Sequence, residues 1–600
     1  MGVTSEELTA QTAGRTVPLA FRDQVRARPD AVALRWLDGT AWKESTWADY
    51  GDQAARFAGA LGDLGVGHGD RVVLMMRNRP EFHIADVASM LVGATPVSIY
   101  NSSSAEQVAF IAGNCGARVA IVEDAAFLAT LLEARPRLPD LRYIVVIEEV
   151  EHGPDVMPWS ELLQRAPVDL DEAASVVQPT DLATVIYTSG TTGPPKGVMI
   201  DHANIAWTVQ CLRVALSDID VIGRRLVSYL PMAHIAERMT SHYQGIEFGY
   251  EVTTCPEAGA VASYLPQVRP EVLFAVPRVW EKMEAGVRAV LGADPDKAAE
   301  FERALEIGAQ AAACRADGTE LPSELVPPYE LVEREALGPV RALLGLDQLV
   351  TAISGAAPIS AGVFGFFRAL GVPLSEIYGL SETSGPMTWE PFRVRPGTVG
   401  PAIPGQEVRL AEDGEVRCRG GNIFRGYLDD PVRTAEVLDP DGWFHTGDIG
   451  EFDDAGFLRI VDRKKELIIT AGGKNISPAN LEAALKAHPL IGQAMAIGDG
   501  KPYISALLVL DPEVAPVWAA GHGIDGLTLV ELASHPEVIE EIERGVATAN
   551  EQFSKVERIK RFVVLGNEWM PDSEELTPTM KLKRRGVHAK YATEIASLYD

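Results

Sequence analysis

Cysteine is scarce in this chain, five in 600 residues, at positions 115, 211, 255, 314 and 418. They are scattered, odd in number and never spaced C-x-x-C. That excludes a disulfide framework and a cysteine-rich zinc site, and it fits a reducing cytosol. Each reads as a small core residue rather than a nucleophile. Positive charge is also in deficit. The 54 Lys and Arg stand against 84 Asp and Glu, a net charge of −30. Such a surface repels the phosphates of nucleic acid and anionic lipid, so neither is expected as a main partner. Long apolar runs are missing too, none approaching the ~20 residues of a membrane helix. The opening MGVTSEELTAQTAGRTVPLAF has no basic segment leading into an apolar one, so no signal peptide is expected. Glu6 stands where myristoylation needs Ser or Thr. A cytoplasmic protein is expected, with peripheral membrane contact through a local apolar patch left open.

The hydrophobic content of 46% and charged content of 23% are those of a globular chain. Its length exceeds what one core serves and corresponds to about four domain-sized units. Apolar runs alternate with amphipathic stretches: RVVLMM (71–76), TPVSIY (95–100), RVAIVED (118–124), YIVVIEE (143–149), LATVIYTSG (182–190), VLFAVPRVW (272–280) and LVTAISGAAP (349–358). That rhythm predicts α/β architecture with parallel sheet. Residues 281–345 read as helices. From about 397 to 464 the chain is Gly-rich with short alternating strands, a small antiparallel β unit. Residues 466–600 mix strands (AMAIGD, ISALLVLD, RFVVL) with helices, a compact α/β domain.

Four stretches carry chemistry. YTSGTTGPPKG (187–197) packs hydroxyls and glycines ahead of a lysine at the end of an apolar strand, where open α/β sheets bind ligands. Its backbone N–H groups and hydroxyls could cradle an anion. Lys196 is followed by Gly197, so the P-loop pattern is not met. EIYGLSETSG (376–385) offers an aromatic, a hydroxyl and a carboxylate within five residues. Alone it reads equally as a helix cap. In GWFHTGDIGEFDDAGFLRIVDRKKELIITAGGKNISP (442–478), Asp448 and Arg463 flank a hairpin expected to turn at DDAG (453–456). An aspartate there can take both hydroxyls of a ribose, and an ordinary surface hairpin is the rival reading. ELTPTMKLKR (575–584) ends in a basic run that by itself reads as solvated.

Taken together, in this order and spacing, the four stretches resemble those of the adenylate-forming superfamily, and most closely its long-chain and bubblegum-type fatty acyl-CoA synthetases. The resemblance covers about residues 20–595. It implies a large N-terminal domain (1–464), a hinge at Lys465 and a small mobile C-terminal domain (466–600). The implied reaction joins ATP, a fatty acid and coenzyme A, with Mg²⁺, through an acyl adenylate, releasing AMP and pyrophosphate.

The resemblance also implies roles for residues. Thr188, Ser189, Gly190, Thr191, Thr192, Gly193 and Lys196 would hold the β- and γ-phosphates. Gly355, Ala356, Ala357, Tyr378 and Gly379 would line the adenine slot, and Asp448 and Arg463 would bind ribose. Ser381 would contact the α-phosphate, and Glu382, with Thr188, would ligate Mg²⁺. Lys581 would bridge the carboxylate and the α-phosphate. His234 and Arg238 would stand beside the acyl and ATP sites, although His234 reads equally as a core histidine. Gly472 and Gly473 would line the coenzyme A channel. Three departures stand out: Glu376-Ile377 before the tyrosine, Ser381 for the commoner threonine, and Met580 for the glycine that usually precedes the lysine. A ligase for an aryl, medium-chain or polyketide acid, and an acyl-AMP ligase loading a carrier protein, are the alternatives.

Overall fold

The computed structural model describes residues 3–599 apart from 189–193, 470–474, 525, 571–572 and 578–579. The early βαβ rhythm forms a five-stranded, wholly parallel sheet. Its strands in spatial order are Thr95–Ser98, Arg71–Met75, Ala117–Val122, Tyr143–Val146 and Val156–Pro158. The helix Pro80–Leu91 begins with proline at its first turn, where no N–H is needed. Nearly all its residues are buried, so its apolar character runs around the whole cylinder.

A second sheet carries much of the site. Val272–Ala275, Thr351–Ser354 and Leu374–Leu380 run parallel, and Gly385–Trp389 returns antiparallel beside Leu374–Leu380. The run VLFAVPRVW is strand only to Ala275; Pro277 then opens the helix Pro277–Gly292. The β unit is antiparallel, in the order Glu407–Leu410, Glu415–Arg419, Phe444–Phe452 and Leu458–Arg463.

One strand departs from the expected rhythm. Leu182–Thr188 is not followed by a crossover helix. It pairs antiparallel with Lys196–Asp201, so the glycine- and hydroxyl-rich loop joins two strands of a hairpin. The apolar run in Leu182–Thr188 is buried because it also lies against the parallel sheet, where Thr184 Oγ1 donates to the Pro96 carbonyl at 2.9 Å. Double-sided burial gives a continuous apolar run whatever the pairing direction.

After residue 465 the chain builds its own cores. Ile491–Ile497 pairs antiparallel with Ile504–Leu510, which pairs parallel with Ile559–Leu565. Every residue of Ile504–Leu510 is buried. Ile504, Ala506, Leu508 and Leu510 face one cluster with Leu481 and Ile542; Leu507 and Val509 face another with Trp569 and Tyr591. The alternation is the period of two along a strand covered on both faces. All five cysteines are free thiols, and Cys115, Cys211, Cys255 and Cys418 are buried. Burial pushes the Cys115 and Cys255 thiols up to about 12. No helix among the described residues is long and apolar enough to cross a membrane.

Candidate active site

The hairpin register makes Asp448 and Arg463 direct partners across Phe444–Phe452 and Leu458–Arg463, which turn around the expected DDAG segment. Arg463 Nε lies 2.8 Å from Asp448 Oδ1, and the Tyr378 hydroxyl donates to the other carboxylate oxygen. Asp448 is 3% exposed. Burial raises its pKa, and the Arg463 guanidinium pulls it down. The same burial, with the neighbouring carboxylate, pushes the Tyr378 phenol well above its ordinary value.

Tyr378 lies near the end of Leu374–Leu380, where the chain must turn tightly into Gly385–Trp389. Two glycines permit the packing. A Cβ on Gly379 would stand 1.8 Å from the Gly385 carbonyl oxygen, and one on Gly355 would stand 2.8 Å from Ile377 Cγ2. The next residue, Ala356, has φ +68°, left-handed without being glycine, and Ala356 and Ala357 are exposed. In the turn Ser381–Thr383, the Leu380 N–H donates to Thr383 Oγ1 at 2.9 Å, and that hydroxyl donates to the Gly385 carbonyl at 2.6 Å. The turn thereby fixes Ser381 and Glu382 at the strand end. Glu382 Oε1 accepts from the Tyr427 hydroxyl at 2.8 Å, and Lys196 Nζ stands 4.8 Å from the centre of the Tyr427 ring. Thr188 and Lys196 close the loop hairpin as register partners. Ser189, Gly190, Thr191, Thr192 and Gly193 lie outside the described residues, as do Gly472 and Gly473.

The last part of the site comes from the far end of the chain. Around Lys581 the backbone folds on itself: the Thr577 N–H donates to the Lys581 carbonyl at 2.8 Å, and the Lys581 N–H donates to Thr577 Oγ1 at 3.0 Å. The residue before it, Met580, has φ +62°, where glycine is favoured. Arg584 anchors the loop through two bonds to the Glu482 carboxylate, at 2.6 and 2.9 Å, and one to Glu466 at 3.3 Å. Lys581 is exposed as a residue, and the charges of Arg463, Asp448, Glu382 and Glu466 act on its ammonium. The enclosure and the Arg463 charge lower its pKa; the carboxylates oppose them. His234 feels the Lys581 charge as well.

This meeting of a strand-end tyrosine and glutamate, an Asp–Arg hairpin and a lysine from the far end of the chain agrees with the sequence comparisons. The AMP-binding enzyme family matches residues 21–428, and the AMP-binding enzyme C-terminal domain matches residues 465–600. The chain belongs to the AMP-binding enzyme family.

Relatives of this AMP-binding enzyme include a putative fatty-acid–CoA ligase of Mycobacterium tuberculosis, 45% identical over 72% of this chain and 76% of that protein. The long-chain-fatty-acid–CoA ligase FadD15 of the same species is 36% identical, over 96% of this chain and 95% of its own. The long-chain-fatty-acid–CoA ligase ACSBG2 of Xenopus laevis is 34% identical, over 98% of this chain and 84% of its own. Among solved structures, the adenylation domain of a carboxylate reductase from Mycobacterium chelonae has TM-score 0.74 at 20% identity, covering 100% of this chain and 93% of that one. The anthranilate CoA ligase AuaEII, solved with anthranoyl-AMP, has TM-score 0.73 at 20% identity, over 97% of this chain and 98% of that one. These two likenesses show the fold.

In this AMP-binding enzyme His234 and Arg238 part company. His234 caps the short helix Ile235–Glu237, its Nδ1 accepting from the Ala236 N–H at 3.1 Å, which leaves the ring proton on Nε2. Burial and the Lys581 charge bring its pKa down to about 3, so it is neutral. Arg238, also expected beside the acyl and ATP sites, takes a different place. Its side chain is fully buried and paired with the Asp86 carboxylate, with Nη1 donating to Ser98 Oγ at 2.6 Å and Nε to the Tyr243 hydroxyl at 3.2 Å. His242 Nε2 meets the second Asp86 oxygen at 2.9 Å, and His83 Nδ1 meets His242 Nδ1 at 3.0 Å. Arg238 is therefore held in a buried ionic network and is not free to swing.

Residues that sequence reasoning missed include Tyr427, which orients Glu382, and Arg584, which anchors the lysine loop. Arg584 lay in plain view three positions beyond Lys581, but nothing local announced its partner Glu482. Glu376, flagged as a departure, is a half-buried carboxyl that burial pushes up to about 8. For a divalent cation, Glu382 keeps Oε2 unbonded among the described residues, and no cluster of three His, Cys, Asp or Glu exists among them. One hard carboxylate oxygen fits a Mg²⁺ that takes its other ligands from water and phosphate.

Proposed function

We propose that this chain is a cytoplasmic, ATP- and Mg²⁺-dependent long-chain fatty acid–CoA ligase. The observation that carries the mechanism is Lys581 within electrostatic reach of Arg463, Asp448 and Glu382, a cation from the C-terminal part of the chain acting on the nucleotide-type site of the rest. A fatty carboxylate oxygen attacks the α-phosphorus of ATP, the bond to the β-phosphate oxygen breaks, and pyrophosphate leaves. Lys581 bridges the attacking oxygen and the α-phosphate, stabilising negative charge as it gathers. Ser381 donates to the same phosphate. Asp448 accepts the ribose hydroxyls, Tyr378 and Gly355 to Ala357 flank the base, and Thr188 to Lys196 hold the outer phosphates. Magnesium held at Glu382 and Thr188 would neutralise the departing pyrophosphate. The coenzyme A thiol then attacks the acyl carbonyl, AMP leaves, and a proton is released. Such transfers depend on positioning and charge rather than covalent participation by the protein.

The names of the relatives support the acyl class, at 36% identity over nearly the whole length of FadD15. The free cysteines support the compartment. The test is pyrophosphate release with free acids from acetate to C20 and several aryl acids, with and without coenzyme A. Turnover that peaks at long chains and needs coenzyme A is expected. A peak at an aryl acid would overturn the substrate class, and ADP as the nucleotide product would overturn the mechanism.

A further inference from the structure

Among the described residues two ion pairs cross from residues before 465 to residues after it, and both leave one face of the helix Pro277–Gly292. Arg278 pairs with Asp511, and Lys282, one turn along, places Nζ 2.9 and 3.0 Å from the two oxygens of Glu513. That helix grows directly out of Val272–Ala275, whose Phe274 ring packs against Gly355 of the base-flanking segment. The contact therefore shares a strand–helix unit with the base-flanking segment. On the other side, Asp511 ends the central strand Ile504–Leu510 of the C-terminal domain. It is 2% exposed, and its Oδ1 accepts from the Glu513 and Val514 N–H groups at 3.0 and 2.9 Å. One oxygen holds its own domain together and the other receives Arg278.

The geometry points to Arg278 and Lys282 as positioning residues for the first half-reaction, an inference that rests on the ligase reading. They touch no reacting atom. They hold the C-terminal domain in the orientation that carries Lys581 into the cleft. The pairing is built to release. Glu281 Oε2 lies 3.5 Å from Arg278 Nη1, so the guanidinium keeps a carboxylate when Asp511 departs. Asp511 keeps both backbone donors through its other oxygen. Neither charge is orphaned, so the cost that makes broken buried pairs expensive is largely avoided. Near Lys465 a third contact spans the junction: Asp462 Oδ2 accepts from Ser477 Oγ at 2.6 Å and from the Ala479 N–H at 3.0 Å.

The experiment separates the half-reactions in the full-length protein. Single-turnover pyrophosphate formation reads adenylation. Coenzyme A-dependent AMP release from preformed acyl adenylate reads thioester formation. Arg278→Gln is expected to slow the first about tenfold and leave the second unchanged or faster. Lys282→Glu is expected to slow the first about threefold, and the exchange Lys282→Glu with Glu513→Lys to restore it. Both exchanged side chains are at least half exposed, so the swap does not threaten folding. Equal slowing of both half-reactions, no slowing of either, or failure of the exchange to restore adenylation would overturn the proposal. Failure of the unaltered protein to form an adenylate with any acid would instead overturn the ligase reading.

Discussion

Lys581 and Glu237 meet the same force with opposite results. Enclosure disfavours charge, so it lowers the pKa of the lysine and raises that of the carboxyl. The ammonium of Lys581 is lost as pH rises through a value below the ordinary lysine figure of about 10.4. Adenylation should accordingly fall on the alkaline side earlier than a free lysine would dictate. Lys581→Arg should be slower at neutral pH but should lose that alkaline limb, read as pyrophosphate release from about pH 7 to 10. Glu237, 4% exposed, has one oxygen without a hydrogen-bond partner, and burial raises its pKa to about 7. The folded state binds a proton there that the unfolded chain has already released. Its favourable contribution is complete below about pH 4.3 and is lost as pH rises through 7. Glu237→Gln should therefore stabilise the protein at pH 8, by an amount on the order of 2–3 kcal/mol, and bring almost nothing at pH 4. Melting temperatures of parent and variant across that range check it; equal gains at both ends would refute the assignment.

At the scale of elements, the strand–turn–strand Leu374–Trp389 carries Tyr378, Ser381 and Glu382 together. Gly379→Ala must push a methyl into the Gly385 carbonyl. It should cost about 2 kcal/mol or more and abolish adenylation. Gly286→Ala, in the interior of Pro277–Gly292 with open space at its Cβ, should stabilise by about 0.5–1 kcal/mol and spare activity. Thermal melting with a pyrophosphate assay separates the two. These elements also mark what could be read from sequence. The hairpin joining Asp448 to Arg463 was legible because Phe444–Phe452 alternates and the turn residues are local. The antiparallel pairing of Leu182–Thr188 was not, because a strand buried on both faces hides its direction. The fate of Arg238 was hidden as well, since Asp86 lies 152 positions away and no local pattern records the pairing. The left-handed backbone at Met580 was foreshadowed only as a missing glycine.

On the scale of the whole molecule, the two ion pairs from Arg278 and Lys282 join residues before 465 to residues after it among the described residues. Raising salt from about 0.1 to about 1 M shortens the Debye length from about 10 to about 3 Å. With substrates saturating, adenylation should slow, since the exposed Lys282–Glu513 pair is screened. Thioester formation from preformed adenylate should not. Parallel rate measurements across the salt series test this, and equal slopes would count against it.

An acyl adenylate is a strong acylating agent, and its proper acceptor is a thiol. Any thiolate of the protein itself within reach would compete for the acyl group and become esterified. Four of the five cysteines are withdrawn from solvent, and burial pushes the thiols of Cys115 and Cys255 up to about 12. Few of those sulfurs are ionised at neutral pH, and the thiolate is the nucleophile. Burying these four cysteines thus keeps their sulfurs chemically mute toward the protein's own intermediate, favouring transfer of the acyl group to the thiol that arrives from outside.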